Sequence, residues 1–146
     1  MVLSKIILDT SAHSAFMRGE PRAVEAVQLA GQIFIPQIVV GELAYSFEAG
    51  TKKQKNWQVF YRFLDSPRVE VVDIDFDTAL YYARVLAQLL KNGTPIPTND
   101  IWIAASCLRH SATLLTRDPI SNTLRDSFGS CLLNNDPFLF DPVSMF

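Results

Sequence analysis

Cysteine is scarce in this chain of 146 residues: Cys107 and Cys131 are the only two, and their separation fits no metal-ligand spacing. That excludes a disulfide framework or a thiolate metal site and leads us to expect reduced thiols in a cytoplasmic protein. Long apolar runs are also missing, since no segment approaches the ~18 uninterrupted apolar residues of a membrane span. The first apolar stretch ends at Asp9, too short for a secretory leader. No Gly-x-Ser-x-Gly elbow and no phosphate-binding glycine loop occur. Excess charge of either sign is lacking as well. The net charge is −2, which argues against holding nucleic acid by bulk electrostatics, although a site built from carboxylates needs only local basic residues.

What is present describes a single packed domain. Hydrophobic residues make up 49% of the chain and charged residues 19%, a balance incompatible with disorder. No repeat and no linker divides it. Lys5–Leu8 is an apolar run closed by Asp9-Thr10-Ser11, and it reads as a buried strand entering a helix. Helices are expected over Thr10–Arg18 and Ala23–Ala30, with Gly31 as a C-cap and a strand at Ile33–Ile35. Pro36 then opens a helix over Gln37–Ala49, followed by another over Lys52–Leu64 whose outer surface carries Lys52, Lys53, Lys55 and Arg62.

A third strand is expected at Val69–Val72 and a long helix over Asp75–Lys91. On that helix Phe76, Ala79, Leu80, Ala83, Leu86, Ala87 and Leu90 recur at helical spacing as the core stripe. Tyr81, Tyr82, Val85 and Leu89 fall beside it, as extra core or as a partner surface. The segment Thr98–His110 is apolar nearly all round and reads as a buried helix. Thr113–Thr116 is a fourth strand, and Cys131–Leu133 a candidate fifth. Strands alternating with helices imply an α/β fold with parallel pairing, whose ligands bind beyond the carboxyl ends of the strands.

Four acids fall where such a site belongs. Asp9 follows the first strand directly, and Asp118 closely follows the fourth. Each alone is also a good helix N-cap. Asp100 stands in the first turn of the enclosed helix, where the helix dipole alone would favour an acid by roughly 0.3–1 kcal/mol. Glu42 has Ile38, Val39, Tyr45 and Ser46 three and four residues away, so it interrupts a largely apolar surface. A carboxylate there needs a cation or hydrogen bonds to compensate its burial. Gathered carboxylates raise one another's pKa values, and a divalent cation relieves the repulsion. All-oxygen ligation suits Mg²⁺ or Mn²⁺, which can activate water against a phosphodiester.

The segments Ile7-Leu-Asp9-Thr-Ser11, Val40-Gly-Glu42-Leu, Thr94-Pro-Ile-Pro-Thr-Asn-Asp100-Ile-Trp-Ile-Ala-Ala105 and Leu114-Leu-Thr-Arg-Asp118 together resemble PIN-domain proteins, specifically the VapC-type toxins of bacterial toxin–antitoxin pairs. The resemblance runs to about Asn134. It implies a three-layer α/β/α PIN-like fold with a central parallel sheet of four to five strands in residues 1–134, leaving 135–146 as a C-terminal tail. It also implies an endoribonuclease dependent on Mg²⁺ or Mn²⁺, a homodimer, and a small cognate antitoxin as partner. Carried over by position, Asp9, Glu42, Asp100 and Asp118 are the acidic quartet. Asp9, Asp100 and Asp118 would hold the metal and Glu42 would serve the attacking water. Thr10 or Ser11, Asn99 and Thr116 would be polar supports.

Competing readings fit less well. A haloacid-dehalogenase-type phosphatase needs a second Asp two residues after the first, where Ser11 stands; a receiver domain wants clustered acids at the first strand and a phosphoacceptor at the third, where Val72-Asp73-Ile74 is a poor fit. A catalytically inactive PIN-like scaffold would have no need of all four carboxylates, and a housekeeping RNA-processing nuclease would share the same chemistry. His13 and His110 read as structural, the latter at a helix end where positive charge is favourable. The tail from Asp136, with Phe138, Phe140, Met145 and Phe146, packs either on its own domain or on a partner.

Overall fold

The computed structural model describes residues 3–118, 122–124 and 139–140. Its strands are β1 (Leu3–Leu8), β2 (Ala30–Pro36), β3 (Val69–Val72), β4 (Thr113–Leu115) and β5 (Leu139–Phe140). The helices between them are α1 (Thr10–Met17), α2 (Pro21–Leu29), α3 (Gln37–Ala49), α4 (Lys53–Leu64), α5 (Phe76–Lys91) and α6 (Thr98–His110). The strands form one sheet in the order β3-β2-β1-β4-β5, in which the first four are parallel and β5 runs antiparallel to β4.

Strand β1 is central because it is apolar throughout its second half. Ile6, Ile7 and Leu8 are fully buried, as are Ile33 and Ile35 of β2 almost completely, with Phe34 between them. Successive residues of a strand face opposite sides of the sheet, so burial at every position means that helices cover both faces. That is the three-layer arrangement the sequence implied. The register sets Leu8 level with Leu115, which brings the carboxyl ends of β1 and β4 to one edge. Asp9 and Thr116 follow immediately at that edge.

Several expectations shift in the structure. Helix α2 begins at Pro21, where a missing N–H is harmless in a first turn, and Gly31 lies inside β2 instead of capping the helix. The candidate strand at Cys131–Leu133 lies outside the described residues. From the tail, Leu139–Phe140 pair with Leu115 and Leu114 at the edge of the sheet.

The stripe expected to bury α5 is the larger correction. Phe76, Leu80 and Leu90 are 78%, 49% and 62% exposed, and Ala79, Ala83 and Ala87 are exposed with them. The helix turns Thr78, Val85 and Leu89 into the core, with Tyr81, Tyr82 and, from the expected stripe, Leu86 packed against it. Tyr82 stacks on Trp102 of α6 with ring centroids 4.0 Å apart. Asp75 caps the helix by accepting from the Thr78 amide and hydroxyl, and Arg109 at the end of α6 donates to its other oxygen at 2.9 Å. These bonds hold the Asp75 carboxyl down to about 2, the Thr78 hydroxyl foremost among them. Two apolar stripes share this helix, and packing against α6 selected the aromatic one.

Candidate active site

Asp9 ends β1 and caps α1: its Oδ1 accepts from the Ala12 amide at 2.8 Å and from the Ser11 hydroxyl at 2.7 Å. The cap role and the site role therefore coincide in one residue that is 5% exposed. Burial pushes its carboxyl up, with Asp118 adding repulsion, while hydrogen bonds with Thr116, Ala12 and Ser11 pull it back. Two adjacent hydroxyls on α1 divide the support between two acids. Ser11 serves Asp9, and Thr10 donates to Glu42 Oε1 at 2.9 Å, tying the start of α1 to the second turn of α3.

The strand β4 end joins through the same hydroxyls. Ser11 Oγ lies 3.4 Å from Thr116 Oγ1 and accepts the Arg117 amide at 3.0 Å. Thr116 Oγ1 in turn accepts the Asp118 amide at 3.0 Å, which fixes the backbone at the fourth acid. Thr116 itself is completely buried, whereas Asp118 is exposed.

Asp100 enters from α6. Its carboxyl is pushed up to about 6, by burial first and then by the negative charges of Asp118, Glu42 and Asp9. Asp100 thus feels the charges of all three other sequence-predicted acids beyond the carboxyl ends of the strands. Among the described residues no three acids, histidines or cysteines stand close enough to form a finished ion cage. The donor set still fits a hard divalent cation: it is all oxygen, and the raised Asp100 registers the repulsion that such a cation relieves.

The structure does not bring every predicted support to the acids. Asn99 is exposed at the start of α6, and among the described residues it makes no hydrogen bond to them. Tyr45, counted with the apolar neighbours of Glu42, is 74% exposed, so Glu42 is half-buried at a rim instead of enclosed. His13 is buried between Phe60 and Phe63, its ring edge-on to both, and burial lowers it to about 4. His110 packs on Phe34 and is likewise lowered by burial, so it does not supply the positive charge expected at its helix end. Sequence reasoning missed Arg18 and Glu20, which meet Arg117 at the border of the site. The one signal was Arg117 itself, next to Asp118.

Comparison with known proteins gives the family. The PIN domain family model matches residues 6–123. A ribonuclease VapC2 of Rickettsia felis is 33% identical over 59% of this chain and 63% of its own length. A ribonuclease VapC2 of Haemophilus influenzae is 30% identical over 84% of this chain and 89% of its own. Among solved structures, VapBC2 of Rickettsia felis bound to a promoter DNA fragment superposes with a TM-score of 0.72 at 26% identity, covering 82% of this chain and 92% of that one. With the sheet order, the acids at the strand ends and a family match over most of its length, the chain belongs to the PIN domain family.

Proposed function

We propose that this chain is a metal-dependent endoribonuclease acting as the toxin of a toxin–antitoxin pair. The observation that carries the reading is the gathering of Asp9, Glu42 and Asp118 around Asp100 beyond the carboxyl ends of the strands, where burial first and then the charges of the other three lift Asp100 to about 6. Relatives named as ribonucleases and a structural neighbour solved as a toxin–antitoxin complex support the RNA substrate and the antitoxin partner.

Asp9, Asp100 and Asp118 would hold Mg²⁺ or Mn²⁺ directly or through water. When bound, the ion would favour ionised water and offset charge developing on the phosphodiester. Glu42 is the group left to orient and deprotonate the attacking water, and Thr10 fixes one of its oxygens so that the other can face the substrate. Ser11 and Thr116 hold Asp9 and the Asp118 backbone in place before substrate arrives. Asp9 is held by the Ala12 amide and the Ser11 hydroxyl through the same oxygen, Oδ1. Cleavage by water attack would leave a 5′-phosphate and a 3′-hydroxyl.

A homodimer also belongs to this reading. The exposed stripe of α5 suits a second copy packed antiparallel about its centre. Leu80 would then meet Ala87, Phe76 would meet Leu90, and Asp77 would approach Lys91 of the other helix.

The deciding experiment is cleavage of total cellular RNA by the purified protein, with Mg²⁺ or Mn²⁺ and with EDTA, alongside Asp9→Asn and Asp100→Asn. The expected result is metal-dependent cutting that falls by at least roughly a hundredfold in each variant. Absence of cutting in every condition, with no metal binding by calorimetry, would overturn the reading in favour of a binding module.

A further inference from the structure

Resting on the ribonuclease reading, we infer that Arg18 and Arg117 form a two-pronged grip on the RNA backbone beside the acids, with Glu20 as the residue that positions both. Glu20 Oε1 accepts from Arg18 Nη2 at 3.0 Å and from Nη1 of Arg117, although these two arginines are far apart in sequence. The two guanidiniums and one carboxylate carry a net single positive charge between them. Side-chain exposures of 59% for Arg18 and 43% for Arg117 leave both reachable from solvent.

The cluster is built on anchored backbone. The Arg18 amide donates to Ser14 O, the Gly19 amide to Phe16 O, and the Glu20 amide to Ala15 O at 3.0 Å. Gly19 takes φ +75°, the left-handed conformation that lets this tight turn close against the end of α1. The Arg117 amide is bonded to Ser11 Oγ, whose hydroxyl is bonded to Asp9. A chain of hydrogen bonds therefore fixes one arginine relative to the acids, and Glu20 carries that placement to the second.

Folding does not account for the arrangement, because exposed ion pairs contribute only about 0–1 kcal/mol. Substrate binding does. Four carboxylates repel an approaching polyanion, and a protein of net charge −2 offers no general field to offset this. Cations are needed at the border of the acids, and arginine suits phosphate because its planar fork can bond two oxygens at once.

The test measures binding of a fluorescein-labelled single-stranded RNA of about 20 nucleotides, with Ca²⁺ replacing the catalytic ion, across a salt series. Steady-state cleavage of total RNA is followed in parallel for wild type, Arg18→Ala, Arg117→Ala and the two Lys variants. Each Ala variant is expected to weaken binding and raise KM roughly tenfold with kcat unchanged. The slope of log affinity against log salt should fall by about 0.7 per arginine removed. The Lys variants should restore the slope and only part of the affinity. Ala variants with wild-type affinity and slope, in a wild-type protein that cuts RNA, would overturn the grip alone and give the arginines to an acidic protein surface. A wild-type protein that neither binds nor cuts RNA would overturn the ribonuclease reading and the grip together.

Discussion

Asp100 is where function and stability pull against each other most directly. In the native state its carboxyl titrates near 6, against an ordinary 3.8. Between those values the native protein still holds a proton that the unfolded chain has released, so rising pH favours unfolding through this group. The cost is absent below about 3.8 and complete above about 6. Asp100→Asn removes it. In thermal melts without metal the variant should exceed wild type by several degrees at pH 7.5, and the gap should close toward pH 4. Mg²⁺ should raise the wild-type melting temperature at pH 7.5 and do little for the variant. A variant less stable than wild type at both pH values would refute this account. At this scale the sequence was informative about Asp9, Asp100 and Asp118, because a strand end or first turn restricts where a short side chain can reach. It did not apportion Thr10 to Glu42 and Ser11 to Asp9, since neighbouring hydroxyls diverge only once α3 and β4 are in place.

Helices show the same division between what is local and what is not. The period of α5 was readable, and so was its extent to within one residue, from Asp75 to Lys91. Its phase was not. The helix carries one aliphatic stripe and one with two tyrosines, and only the partner helix decides between them through Tyr82 and Trp102. By contrast α6 left no choice, because Ile101, Ile103, Ala104, Cys107 and Leu108 are apolar on every side and all are buried. The corrected phase predicts opposite outcomes one residue apart. Leu89→Ala, at a fully buried position, should cost about 2–5 kcal/mol in denaturant unfolding. Leu90→Lys, at 62% exposure, should leave monomer stability within about 0.5 kcal/mol. Equal losses in the two would put the helix in the wrong rotation.

For the whole molecule, the uncovered aliphatic stripe of α5 bears on assembly. Sedimentation equilibrium is expected to give twice the mass of one chain for wild type and a single-chain mass for Phe76→Arg or Leu80→Arg. Both variants should keep their helical circular dichroism, since neither side chain enters the core. Single-chain mass for the wild type would remove α5 as a self-association face. The fold class itself was legible at this scale from strands alternating with helices. The antiparallel pairing of Leu139–Phe140 with β4 was not, because a two-residue strand leaves no periodic trace.

The central position of β1 has a consequence for synthesis. The first strand made is completed on one side only when β4 arrives, and the Ser11–Thr116 contact joins residues 105 apart. Until the ribosome has passed residue 118, the growing chain lacks at least one of the four acids, and until β4 is made it lacks the strand that levels Asp9 with them. On the ribonuclease reading, a chain whose synthesis stops before residue 118 lacks a complete set of acids and is released without activity, beside the cell's densest store of RNA.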